Sequence, residues 1–147
     1  MAARLLIALA ATLLTPALAG AKAMPDPVKM EAAVNAYVAA FEAGSADQVA
    51  ALYAQDATVE DPIGSPIRKG REAIRAFYAE SMQTGAKLKL EGPVRVAGDY
   101  AVFPFSVNLN HDGKAMRIDV IDTFRFNEAN EVTEMRAYWG QSNMHGF

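Results

Sequence analysis

The sequence predicts an α+β domain in which three N-terminal helices pack on a curved, mostly antiparallel β-sheet. Apolar residues recur at helical spacing as far as Met82, and everything after Lys87 reads with the two-residue period of strands. The chain has 147 residues. Setting aside a leader-like start leaves roughly 120, enough for one core and too few for two.

The elements follow in order. Across 25–41, Met30, Val34, Tyr37, Val38 and Phe41 fall on one helical stripe, and Gly44 ends that helix. Ser45 with Gln48 has the form of a capping box opening a second, short helix that carries Val49, Leu52 and Tyr53. A strand over 57–61 stops at Pro62, and 63–70 reads as a loop. A third helix over 71–82 has Ile74, Phe77, Tyr78 and Met82 as its stripe. Leu88 and Leu90 alternate with lysines, and 94–96, 100–109, 116–126 and 132–139 are further β runs. His111-Asp112-Gly113 and 127–130 are turn signals between them. The expected organisation is a single domain over 25–147.

The first 23 residues have the order of a secretory leader: Arg4, an apolar run from Leu5 to Leu14, then A-L-A and A-K-A. Cleavage is expected after Ala19 or Ala23, which would make the protein periplasmic or secreted; if Met24 is the true start it would be cytoplasmic. The run is shorter than the roughly 20 residues a membrane span needs, so no span is expected after cleavage. The net charge of −3 is spread along the chain, without the clustered Lys and Arg of a nucleic-acid footprint. With no cysteine, disulfides, thiolate nucleophiles and Cys-based metal sites are excluded.

Two aspartates sit on the wrong face of their strands. In 118–126, alternation puts Ile118, Val120, Asp122, Phe124 and Phe126 together, so Asp122 interrupts an apolar face. A carboxylate there must be paired or stay protonated, which pushes its pKa up. The same pattern fits an aspartate in a structural hydrogen bond, or a bulge that turns it outward. Asp61 shares a face with Ala57 and Val59, and Asp-Pro also commonly begins turns. Tyr37, Tyr53 and Tyr78 all read as core-facing tyrosines on helices. Their hydroxyls would form one hydrogen-bonded chain or be satisfied separately.

At these residues the sequence resembles ketosteroid isomerases, in the fold group of nuclear transport factor 2 (the SnoaL-like or NTF2-like cone). The similarity runs over 34–143 and is carried by N-A-Y-V-A-A-F around Tyr37, L-Y-A-Q-D-A-T-V-E-D-P-I-G through Asp61, G-R-E-A-I-R-A-F-Y with Tyr78, V-I-D-T-F-R-F with Asp122, and M-R-A-Y-W-G-Q-S-N. The resemblance implies a steroid Δ-isomerase converting 3-oxo-Δ5-steroids to conjugated 3-oxo-Δ4-steroids. Asp61 would be the base, Tyr37 and a protonated Asp122 the oxyanion hole, and Tyr53 and Tyr78 their supporting network. Phe103, Val107 and Trp139 would line a slot for the steroid rings. A small apolar ligand is implied, with no cofactor and no metal. A homodimer is expected from the resemblance and because an open sheet leaves one face to cover.

Other chemistries find less support. His111 lies in a turn and His145 in the tail, without partners at metal spacing. A dehydratase of this fold would need a core histidine, and an epoxide hydrolase an Asp-Arg-Asp set for which Arg125 and Arg136 are the candidates. A non-catalytic binding protein for flat apolar ligands would keep the slot without Asp61, Tyr37 and Asp122 together.

Overall fold

The computed structural model describes residues 23–146. The leader expected over 1–23 therefore lies outside the described residues, apart from Ala23.

Helix α1 (Pro27–Glu42) starts where Asp26 accepts from the Val28 amide at 2.9 Å and Pro27 occupies a position that needs no donor. Met30, Val34, Tyr37 and Phe41 are its buried stripe. It ends as expected at Gly44, whose φ of +65° costs a glycine little. Ser45 then accepts from the Gln48 amide at 3.2 Å and caps α2 (Ala46–Ala50). Here the local reading fails: Tyr53 is not on α2 but is the first residue of β1 (Tyr53–Glu60). The Leu52 carbonyl accepts from the Val132 amide at 2.9 Å, and Tyr53 pairs with Val132. A long-range ladder thus takes residues whose spacing alone extends the helix.

A two-residue strand, β2 (Arg68–Lys69), lies inside the segment expected to be a loop and pairs antiparallel with Thr58 and Val59. Two residues are too few to show alternation in a sequence. Helix α3 (Arg71–Gln83) follows, with Ile74 and Tyr78 buried. The remaining strands are β3 (Lys87–Leu90), β4 (Arg95–Ala97), β5 (Tyr100–His111), β6 (Lys114–Phe126), β7 (Val132–Tyr138) and β8 (Met144–His145). Strands β5 and β6 form a long hairpin that turns at Asp112 (φ +50°) and Gly113 (φ +77°), the doubly positive geometry favoured for a two-residue loop.

The sheet runs β2-β1-β7-β6-β5-β3, with β4 also on β5 and β8 also on β6. The pair β1–β7 is parallel and the other described pairs are antiparallel. The helices cover one face of this curved sheet. Inward residues of β5 and β6, Ala101, Phe103, Phe105, Val120, Phe124 and Phe126, share one core with Met30, Val34, Tyr37, Ile74 and Tyr78. Alternation along β6 holds to its end: Val120, Asp122, Phe124 and Phe126 are buried, whereas Ile121 and Arg125 are exposed.

Candidate active site

A cavity of about 300 Å³ opens between the helices and the β5–β6 hairpin. Tyr37, Asp61, Tyr78, Ser81, Thr84 and Trp139 are its polar-group-bearing lining residues, while Phe77, Leu88, Phe105, Val107, Ile118 and Val120 supply apolar wall. The lining pairs step along one ladder: Val107 faces Ile118, and Phe105 faces Val120. The next pair inward on the same face is Phe103 with Asp122.

Asp122 is fully buried, and among the described residues no group hydrogen-bonds either of its carboxyl oxygens. Its cross-strand neighbours are Phe103 on β5 and Ala137 on β7, neither of which carries a side-chain donor. Of the alternatives left open by periodicity, the structural hydrogen bond and the outward bulge are both absent. Burial pushes the Asp122 carboxyl well above the usual carboxylate range, and the charge of Asp61 pushes it the same way. Burial thus favours its neutral form, the form that can donate.

Asp61 follows the last residue of β1, on the same inward side as Val59. Trp139, just past β7, donates its indole N–H to Asp61 Oδ1 at 2.8 Å. The parallel β1–β7 pairing, with Glu60 opposite Arg136, brings the two strand ends together. Burial raises the Asp61 pKa, while the Trp139 hydrogen bond and the positive charge of Arg68 lower it. Glu60, one residue away, is tied elsewhere: it accepts from the Gly64 amide at 2.7 Å and pairs with Arg136 at 3.3 Å.

Tyr37 is buried among aromatic rings, with centroids at 5.4 Å for Phe124, 5.6 Å for Phe41 and 5.8 Å for Tyr78. Burial holds its hydroxyl well above the ordinary phenol value, and Asp122 adds to this; the neighbouring Tyr78 hydroxyl pulls the other way. Tyr53 and Tyr78 share a buried hydroxyl–hydroxyl bond of 2.8 Å. The three tyrosines meet as one cluster, although they come from two helices and a strand rather than from three helices.

The expected lining residues divide. Val107 and Trp139 line the cavity, whereas Phe103 is fully buried one pair deeper, its ring 6.3 Å from that of Tyr37. Phe105 lines the wall instead; it shares the face of Phe103, so alternation offered it equally. Phe77, legible in the sequence only as part of a stripe, and Ser81, one helical turn further along α3 and not singled out there, also line the cavity. Arg125 pairs with Asp99 at 2.9 Å, and Arg136 with Glu60 and Glu134, so neither completes an Asp-Arg-Asp set with Asp61. His145 bonds Asp119 at 3.0 Å, and His111 lies beside Asp112 in the exposed hairpin turn.

Residues 34–135 match the family described as SnoaL-like domain. The chain belongs to this family. Among relatives of this SnoaL-like protein is a steroid Delta-isomerase from Nocardioides simplex, 38% identical over 117 residues, covering 79% of this chain and 94% of that one. Among solved structures, the epoxide hydrolase/cyclase-like enzyme SalBIII, studied for pyran ring formation in the polyether salinomycin, is 20% identical. It aligns with a TM-score of 0.77, over 83% of this chain and 98% of its own, which shows a shared fold. The family, the three helices and the mixed curved sheet agree with the NTF2-like cone implied by the sequence resemblance.

Proposed function

We propose that this chain is a steroid Δ-isomerase that converts a 3-oxo-Δ5-steroid to its conjugated 3-oxo-Δ4 isomer. The observation that carries the proposal is Asp122, a buried carboxyl group with no hydrogen-bond partner among the described residues, set among apolar groups near Tyr37. Leaving a polar group so placed costs stability, and that cost is understandable where a ligand oxygen completes the bond. A binding protein for flat apolar rings would need the slot alone. The steroid Delta-isomerase relative supports the same reading.

In this reading the steroid rings lie along the Val107–Ile118 and Phe105–Val120 pairs, with the ketone at the deep end. The Asp61 carboxylate takes the proton from the carbon between carbonyl and double bond. The C–H electron pair moves to form a dienolate, and negative charge gathers on the carbonyl oxygen. Tyr37 and neutral Asp122 donate hydrogen bonds to that oxygen; such preorganised donors act most strongly where charge develops in a dry site. Asp61 then returns the same proton two carbons further on, leaving the conjugated enone and the original carboxylate. A base of moderate pKa suits a step that must both take and give.

The test is the ultraviolet absorbance of the purified protein mixed with a β,γ-unsaturated 3-ketosteroid. Growth of the conjugated-enone band, absent with Asp61→Asn, is the expected outcome. Steroid bound without any growth of the band would overturn the proposal.

A further inference from the structure

Arg68 reaches the cavity wall from the short strand β2. It pairs with Val59, which is fully buried, and cross-strand partners share a face. Arg68 therefore projects to the inward side, the side on which Asp61 lies two residues beyond Val59. Its guanidinium carbon sits 4.2 Å from the centroid of Phe77, a ring that lines the cavity together with Asp61. Nη1 donates to the Pro66 carbonyl at 3.0 Å and to Ser65 Oγ at 3.4 Å, so the loop following Asp61 holds the cation in place. Among the described residues Arg68 forms no ion pair.

We propose that Arg68 is a positioning residue for the base: a cation fixed over Phe77 whose field keeps Asp61 ionised inside an apolar cavity. This rests on the reading of Asp61 as the base. The other groups around Asp61 do not supply that field. Asp122 from β6, Tyr37 from α1, Tyr53 from β1 and Tyr78 from α3 are acids whose neutral forms burial favours, and ionising any of them would repel the carboxylate. Trp139 from the end of β7 gives a hydrogen bond but no charge. Arg71 donates to the Tyr53 carbonyl and pairs with Glu131; Arg75 pairs with Asp47; Arg136 pairs with Glu60 and Glu134. Lys69 is exposed, and as the neighbour of Arg68 in the strand it points the other way.

The physical need is plain. An apolar slot favours ring binding but disfavours a charged base, since desolvation penalises the ionised form. A cation near the base offsets part of that penalty, and apolar surroundings weaken its field less than water would. The cation–π seat over Phe77 is also worth something in itself, so loss of packing must be separated from loss of charge.

The experiment titrates Asp61 directly in the protein by carbon-13 NMR of the carboxyl groups, its signal assigned by disappearance in Asp61→Asn. Arg68→Met keeps an apolar stem against Phe77 without the charge, and Arg68→Lys keeps the charge. The expected result is an Asp61 midpoint raised by about half to one pH unit in Arg68→Met and largely restored in Arg68→Lys. The acid limb of kcat/KM should move by the same amount. An unchanged midpoint in Arg68→Met would overturn the proposal, even if activity fell; Arg68→Gln supplies the same reading should the methionine variant not fold. Absence of isomerase activity would sink the proposed function, while the titration would still decide whether Arg68 sets the charge state of Asp61.

Discussion

The indole N–H of Trp139 and the Asp61 carboxylate, 78 residues apart, meet at 2.8 Å because the two strands that end beside them run parallel. That bond stabilises the charged form of Asp61, opposing the effect of burial. Trp139→Phe keeps most of the ring and removes the donor. The Asp61 pKa should rise, so the acid limb of kcat/KM moves to higher pH. A hydrogen bond to a charged group is worth roughly 1.5–3 kcal/mol, and a pH–rate profile of the variant measures how much of it bears on the base.

Asp61→Asn removes the proposed base without changing its shape. Turnover of a β,γ-unsaturated 3-ketosteroid should fall by about 10²–10⁴-fold, the range ordinarily ascribed to a positioned acid or base. Binding of the conjugated product, followed by fluorescence of Trp139, the single tryptophan of the chain, should survive within a few-fold.

Loss of one oxyanion donor typically lowers kcat by about 10²–10³-fold, and if Asp122 has the proposed donor role, Asp122→Ala should fall in that range with little effect on KM. Equal losses in binding and turnover would instead make Asp122 a packing residue.

The same residue predicts a pH dependence of stability. The folded-state pKa of Asp122 is raised, so the folded protein binds this proton more tightly than the unfolded chain. Its stabilising contribution is full below the unfolded aspartate value of about 3.9 and is lost as pH climbs toward the raised folded value. Asp122→Asn removes that dependence. Measured across pH 4–8, its Tm should gain on that of the wild type as pH rises; parallel curves would show that Asp122 is not a buried neutral acid.

Tyr53 and Tyr78 share a buried hydroxyl bond of 2.8 Å, and Tyr78 also bears on Tyr37. Tyr53→Phe should cost about 1–3 kcal/mol in denaturant unfolding, because it leaves the Tyr78 hydroxyl short of a partner in the core. Tyr78→Phe should cost a similar amount and also lower turnover, since it bears on Tyr37, the proposed oxyanion donor.

Much of this was legible in the chain. The stripe from Met30 to Phe41, the Ser45 cap, the Gly44 stop and the Asp112-Gly113 turn are set by nearest neighbours, and each stands where its local chemistry places it. Alternation along β6 put Asp122 on an apolar face, because a two-residue period leaves an inward strand no other choice. Other features depended on groups distant in sequence. Tyr53 left its helix for a strand because Val132 offered a ladder partner, and β2 exists only against Thr58 and Val59. Whether Asp122 had a partner, which rings formed the wall, and that Trp139 and Arg68 both bear on Asp61 were decided by tertiary structure alone. Local periodicity sets which face a side chain takes; only packing sets what it meets there, and the charge state of a buried acid depends on what it meets.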